Sequence, residues 1–224
     1  MYVLNGTKEL KPGKTWTDDN GVQHPGNWAS VWSDDVKASY GIKEVIVQSK
    51  PDDKFYWVGQ RSLDGSWSST PKNIDDVKEV DEDGNAVLDE DGNQLVTKGL
   101  KSQWIARTKK IANGLLAPTD WQVIAKAERD RAINSDVATY RAAVITACTA
   151  IEKAITDITD TVIPSGYNAA KENPEPTDAE KKIISDYEAE VATKFAAFKK
   201  LFDVPVDNDG KPTGNAPIHD WPEE

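Results

Sequence analysis

The sequence predicts an α+β fold, with a β-rich amino-terminal part followed by helices. Three observations carry that reading. Up to about residue 98, short apolar runs are punctuated by Asn-Gly, Pro-Gly and Asp-Gly pairs, the pattern of brief strands joined by tight turns. From Ser102 to Ile158 the period becomes helical, with Val137, Tyr140, Val144, Ala147, Ile151, Ala154 and Ile158 at steps of three and four. Further on, Ile183, Tyr187, Val191, Phe195, Phe198 and Phe202 form a second stripe at helical spacing. The expected domains are 1–98 (β-rich), 99–163 (helical) and 164–224 (linker, amphipathic helix and extended tail).

In order, Tyr2-Val3-Leu4 is a short strand ended by Asn5-Gly6, and Pro12-Gly13 is a turn. Asp18-Asp19-Asn20-Gly21 joins Thr15-Trp16-Thr17 to Val22-Gln23 as a hairpin. His24, beside Pro25, reads as a turn residue rather than a ligand. Ser33 caps a short helix, Asp34 and Asp35 suit its positive end, and Gly41 ends it with Ile42 folding back. The segment 43–48 and Phe55-Tyr56-Trp57-Val58 predict a central hairpin, with a third strand at Trp67 through Asp64-Gly65.

Residues 79–96 hold an internal repeat, Val80-Asp-Glu-Asp-Gly-Asn-Ala-Val87 followed by Leu88-Asp-Glu-Asp-Gly-Asn-Gln-Leu95. Glu79, Asp81, Asp83, Gly84 and Glu90 fall at calcium-loop spacing, but Glu79 stands where Asp is expected and no amphipathic helix precedes them. Asp-Gly-Asn between short apolar runs is turn chemistry, and the repeat predicts an exposed three-stranded meander.

Residues 102–116 predict a first helix, which Pro118 interrupts. Thr119 or Asp120 starts a short helix carrying Trp121 and Ile124, and Asn134-Ser135-Asp136 starts a helix of about six turns. At the bend, Asp120 is expected to pair with Arg141, with Trp121 filling the angle and Tyr140 packing on it. Ile163-Pro164-Ser165-Gly166 breaks the chain, 171–176 is a polar linker, and Thr177-Asp178-Ala179-Glu180 is a capping box. The helix that follows is expected to lie antiparallel on the long one. In the tail, Trp221 either tucks onto its own domain or inserts into a neighbour.

Leu115-Leu116 after an arginine-bearing helix, then Thr119-Asp120-Trp121, then Tyr140-Arg141, resembles a pattern in tail assembly chaperone-like segments of tailed bacteriophages and at the end of many phage virion proteins. The opening around His24-Pro25-Gly26-Asn27-Trp28 and Trp32 is similar to the first part of such proteins. The resemblance covers roughly a quarter of the chain. It implies a non-enzymatic structural role in the tail, baseplate or fibre attachment. The partners would be other tail or fibre proteins and further copies of the chain in a symmetric assembly, in the virion after a stay in the host cytoplasm. The alternatives are a tail assembly chaperone absent from the mature virion, and a carbohydrate-binding host-recognition module, which exposed tryptophans would favour.

Composition limits chemistry more than it suggests any. A net charge of −11 over 224 residues argues against nucleic acid and anionic membrane as partners. Two distant histidines make a histidine triad or zinc site hard to build, no phosphate loop or nucleophile elbow occurs, and no cofactor is expected. The single Cys148 reads as a small core residue. The first ten residues lack a signal-peptide core, so a soluble protein made without export is expected. Charge is uneven: 101–131 has seven basic residues against three acidic ones, a net +4, leaving −15 for the rest. Arg107, Lys109 and Lys110, with Trp221, are therefore candidate interface residues. Leu115, Leu116, Asp120, Trp121, Tyr140 and Arg141 form a motif of either fold or interface.

Overall fold

Short strands precede helices, as an α+β chain requires, in the computed structural model, which describes residues 1–223. The first of two units, Met1–Lys72, runs β1 (Tyr2–Leu4), β2 (Lys8–Leu10), β3 (Trp16–Thr17), β4 (Gln23–His24), α1 (Trp28–Val31), α2 (Asp34–Ser39), β5 (Ile42–Glu44), β6 (Tyr56–Arg61) and β7 (Trp67–Pro71). β1 is the middle of an antiparallel sheet of order β2-β1-β5. Leu4, Leu10 and Ile42 from its three strands pack with Trp16 and Trp28 into the core. Trp28 is 0% exposed, and its indole N–H donates to Lys14 O (3.2 Å), which satisfies the one polar atom it buries. Ser33 caps α2 by accepting from Val36 N, and Gly41 follows at φ +73°.

Two expectations fail here. The pairing of 43–48 with 55–58 is replaced by β6 with β7 through the Asp64–Gly65 turn. β5 is consumed as the partner of β1, and after Glu44 the chain leaves the sheet, with Ile46 89% exposed. Gln48 N donates to Gly65 O instead. His24 is a buried strand residue, not a turn residue. Its Nε2 lies 3.1 Å from Asp18 Oδ2, and its ring lies 4.4 Å from Trp16, 4.8 Å from Tyr40 and 5.3 Å from Trp32.

The second unit, Asn73–Glu224, begins well before the boundary placed at residue 98. It contains β8 (Val77–Lys78), β9 (Val96–Thr97), α3 (Leu100–Leu116), α4 (Asp120–Arg129), α5 (Ser135–Thr156), α6 (Tyr167–Glu172) and α7 (Asp178–Lys200), with 3-10 turns at Ala117–Thr119 and Pro217–His219. The earlier boundary has a local cause. β8 pairs with β9, and Leu100 N and Lys101 N donate to Asn73 O (2.9 Å) and Ile74 O (3.0 Å), so the repeat segment folds onto the first turn of α3.

The repeat itself is not a meander. Glu79 N donates to Leu95 O (2.9 Å), Val87 N to Glu79 O (3.1 Å) and Leu95 N to Val87 O (2.7 Å). These three bonds close a ring that joins a two-stranded stem, β8–β9, to two hairpins bridged at Val80–Ala86 and Leu88–Gln94. With Asp-Glu-Asp-Gly-Asn at each tip, a hairpin is too short for a ladder and keeps only one bridge. The tips share one construction. Asp81 N donates to Asn85 O and Gly84 N to Asp81 O (2.9 and 3.0 Å), and the pair recurs at Asp18, Asp89 and Asp207, and at Ser62 in place of Asp. In the Asp-led loops the carboxylate also accepts from backbone N–H groups two and four residues on. Asp81 and Asp89 thus spend carboxylate oxygens on their own turns.

α3 and α5 are the main helix pair. Arg141 meets Leu116, Lys109 lies 3.5 Å from Glu152, and Lys101 donates to Ile158 O (2.6 Å), so the two run antiparallel. α3, not the expected α7, is the main helical neighbour of α5. α7, begun by the Thr177–Glu180 capping box, packs on α6, a helix the sequence reading left as linker. Its end reaches Trp104, whose ring lies 4.6 Å from Phe202. Among the described residues no helix is long and apolar enough to cross a membrane.

Candidate docking surface

The bend between α3 and α4 is built by one side chain. Pro118 sits in the 3-10 turn, where its missing N–H costs least. Arg141 Nη1 donates to Leu116 O (2.8 Å) and Thr119 Oγ1 (2.7 Å), and its Nη2 lies 2.9 Å from Asp120 Oδ1. Last-turn carbonyls lose their intrahelical donors, and a planar guanidinium from α5 replaces one of them. The expected Asp120–Arg141 pair is present. Thr119 does not cap α4 through its side chain, its hydroxyl donating to Leu116 O instead (2.9 Å).

Trp121 does not fill the bend. It is 54% exposed, with the Arg131 guanidinium 5.7 Å from its ring centroid. Because Arg141 already occupies the inside of the corner, the helix turns Trp121 outward. Tyr140 is half-buried, and its hydroxyl is buried without a hydrogen-bond partner among the described residues. Leu115 and Leu116 are half-buried.

No residue of α4 is buried, and Trp121, Val123 and Ile124 are all exposed. The helix ends at Asp130, a left-handed residue (φ 52°) that is ion-paired with Lys126. Gln122 Oε1 accepts from Asn134 N (2.9 Å) and fixes the return to α5. Between α4 and that return lies a hollow of about 430 Å³ lined by Trp121, Gln122, Ala125, Arg131 and Ile133. The apolar face of α4 was legible in the spacing of Trp121 and Ile124. That none of the described residues buries it was not.

The charged candidates separate. Arg107 lies over the Trp104 ring (4.7 Å), Lys109 faces Glu152, and Lys110 is exposed. Trp221 tucks onto its own unit, lining a groove of about 660 Å³ with Ala147, Ala150 and Ala154 of α5. Lys101, one of the seven basic residues of 101–131, is buried. Its ammonium donates to Asp75 (3.1 Å), Asp160 and Ile158 O, while Asp75 accepts from the N–H and hydroxyl of Thr161 (both 2.8 Å). Burial opposes both charges. The hydrogen bonds outweigh it, so Asp75 titrates below the usual carboxylate range and Lys101 above that of an ordinary amine. No short-range pattern marks Lys101, since its partners come from distant parts of the sequence.

Cys148 is half-buried and donates to Glu152 Oε1 (3.2 Å). Burial and that carboxylate push its thiol up to about 11, so it stays protonated near neutrality and is a poor nucleophile. Searches against family models, curated proteins and solved structures return no match to this chain.

Proposed function

We propose that this chain is a non-enzymatic structural component of a tailed-bacteriophage virion, in the tail, baseplate or fibre-attachment region, working through protein–protein contacts in several copies. The observation that supports it most is the bare apolar face of α4. A helix that buries none of its own residues yet presents Trp121 and Ile124 together to water gains by being covered, at about 25 cal/mol per Å² of apolar surface. The resemblance at Leu115-Leu116, Thr119-Asp120-Trp121 and Tyr140-Arg141 falls on the same corner. Mass spectrometry of purified particles made by the genome that encodes the chain tests the reading. The expected result is several copies per particle. Presence in infected lysates and absence from finished particles would point to the chaperone alternative and overturn the structural one.

The carbohydrate-binding alternative draws on one observation, Trp57, which is 68% exposed with the Lys72 ammonium 4.5 Å from its ring centroid. Glycan-array binding lost in Trp57→Ala would support it.

A further inference from the structure

We infer that the α4 face docks the paired hairpins at 79–96 of a second copy of this chain, head to tail. This rests on the assembly reading above and adds which surfaces meet.

On the α4 side the apolar centre is Trp121 and Ile124, one turn apart on the helix. The carboxylates around it are mostly spent, Asp120 on Arg141 and Asp130 on Lys126. What stays uncompensated on α4 and its return is positive, Arg129 and Arg131 against Glu128. The hairpin cluster is the converse. Between Glu79 and Val96 lie seven carboxylates and no lysine or arginine, and none of the seven is in an ion pair among the described residues. Val80 and Leu88 are each 56% exposed beside these acids, and Leu95 is exposed too.

Each surface thus joins exposed apolar side chains to the charge that suits the other. Complementary potentials of this kind set orientation and speed encounter. Within one chain, no hydrogen bond or ion pair among the described residues joins 77–97 to 120–131. Two different patches that meet between copies make a heterologous contact. Such contacts repeat as rings when the rotation closes and as filaments when it does not.

Sedimentation of the full chain tests this, with Trp121→Ala/Ile124→Ser removing one face and Glu82→Lys/Glu90→Lys the other. All four positions are exposed, and circular dichroism confirms that each variant keeps its helix content. The wild type should self-associate, less so at high salt. Each variant alone should associate on the order of 30-fold more weakly, as when an aromatic hot spot is lost. An equal mixture should form heterodimers, because each variant keeps the surface the other lacks. Arg129→Glu/Arg131→Glu should likewise recover association when mixed with Glu82→Lys/Glu90→Lys. A wild type that stays monomeric, variants that associate as it does, or a mixture without heterodimers would each overturn the inference. Particles that contain a chain unable to self-associate would sink this contact and leave the virion role standing. A self-associating chain absent from particles would do the reverse.

Discussion

The Arg141 guanidinium lies 2.9 Å from the Asp120 carboxylate across the bend between α3 and α4, and the same guanidinium holds Leu116 O and Thr119 Oγ1. Arg141 is largely buried and Asp120 half exposed, so their substitutions should differ. Arg141→Ala should cost about 1.5–3 kcal/mol, the range for hydrogen bonds to a charged group. Arg141→Lys should recover only part of it, since a point charge cannot serve three acceptors in a plane. Asp120→Asn should cost less than about 1 kcal/mol. Urea denaturation ranks them. Equal losses for Asp120→Asn and Arg141→Ala would make the ion pair, not the carbonyl and hydroxyl, the lock on the bend.

The Asp75–Lys101 network should lower stability at both ends of the pH scale. Asp75 has a folded pKa below its unfolded value of about 3.9. Its contribution is present above that unfolded value and is lost as pH falls through the lower folded one. Lys101 is raised, so its contribution is complete below an unfolded pKa of about 10.4 and is lost as pH rises through the folded value. Melting temperature followed against pH should show both limbs. Asp75→Asn should flatten the acid limb, and an acid limb unchanged in that variant would assign it to other carboxylates.

Two tryptophans should answer oppositely to alanine. Trp28 is wholly buried and hydrogen-bonded to Lys14 O, so Trp28→Ala should cost about 3–5 kcal/mol and melt the first unit. Trp121 is more than half exposed, and Trp121→Ala should leave thermal unfolding nearly unchanged. Differential scanning calorimetry separates the two. A large loss in Trp121→Ala would mean that the corner depends on the ring after all.

Gly84 and Gly92 sit at φ +83° and +82° with open space where a Cβ would go. Alanine there meets no neighbour and pays only for the left-handed backbone, about 1–2 kcal/mol. Amide exchange at Val87 and Leu95 should speed up in Gly84→Ala and Gly92→Ala while the amides of α5 are unaffected. Faster exchange across the whole second unit would contradict a purely local cost.

Much of this fold was legible wherever the cause lies within about four residues. The Asp18–Gly21 hairpin, the Ser33 cap and the Thr177–Glu180 capping box are local contests between a side chain and the next few backbone groups, and the sequence states their outcome. Choices between distant partners were not legible. Val144, Ile151 and Ile155 offer the same stripe to α3 and to α7, and periodicity does not say which arrives. β5 was equally able to pair forward or back. At the candidate site, the Asp120–Arg141 pair followed from opposite charge at a bend. The outward turn of Trp121 did not, because it depends on what else fills the corner. A lysine is ordinarily a surface residue, and only Asp75, Ile158 and Asp160 brought to one point make the burial of Lys101 tolerable.

The ring of bonds through Glu79, Val87 and Leu95 also bears on inheritance. Eight-residue duplications arise when a replicating strand slips, and in an open ladder one more or one fewer copy merely changes length. Here the copies count toward closure. Removing one leaves Glu79 facing its remaining counterpart as an ordinary two-stranded pair, and adding one demands a junction of four. A change of copy number here would therefore alter the connectivity of the junction as well as the length of the chain.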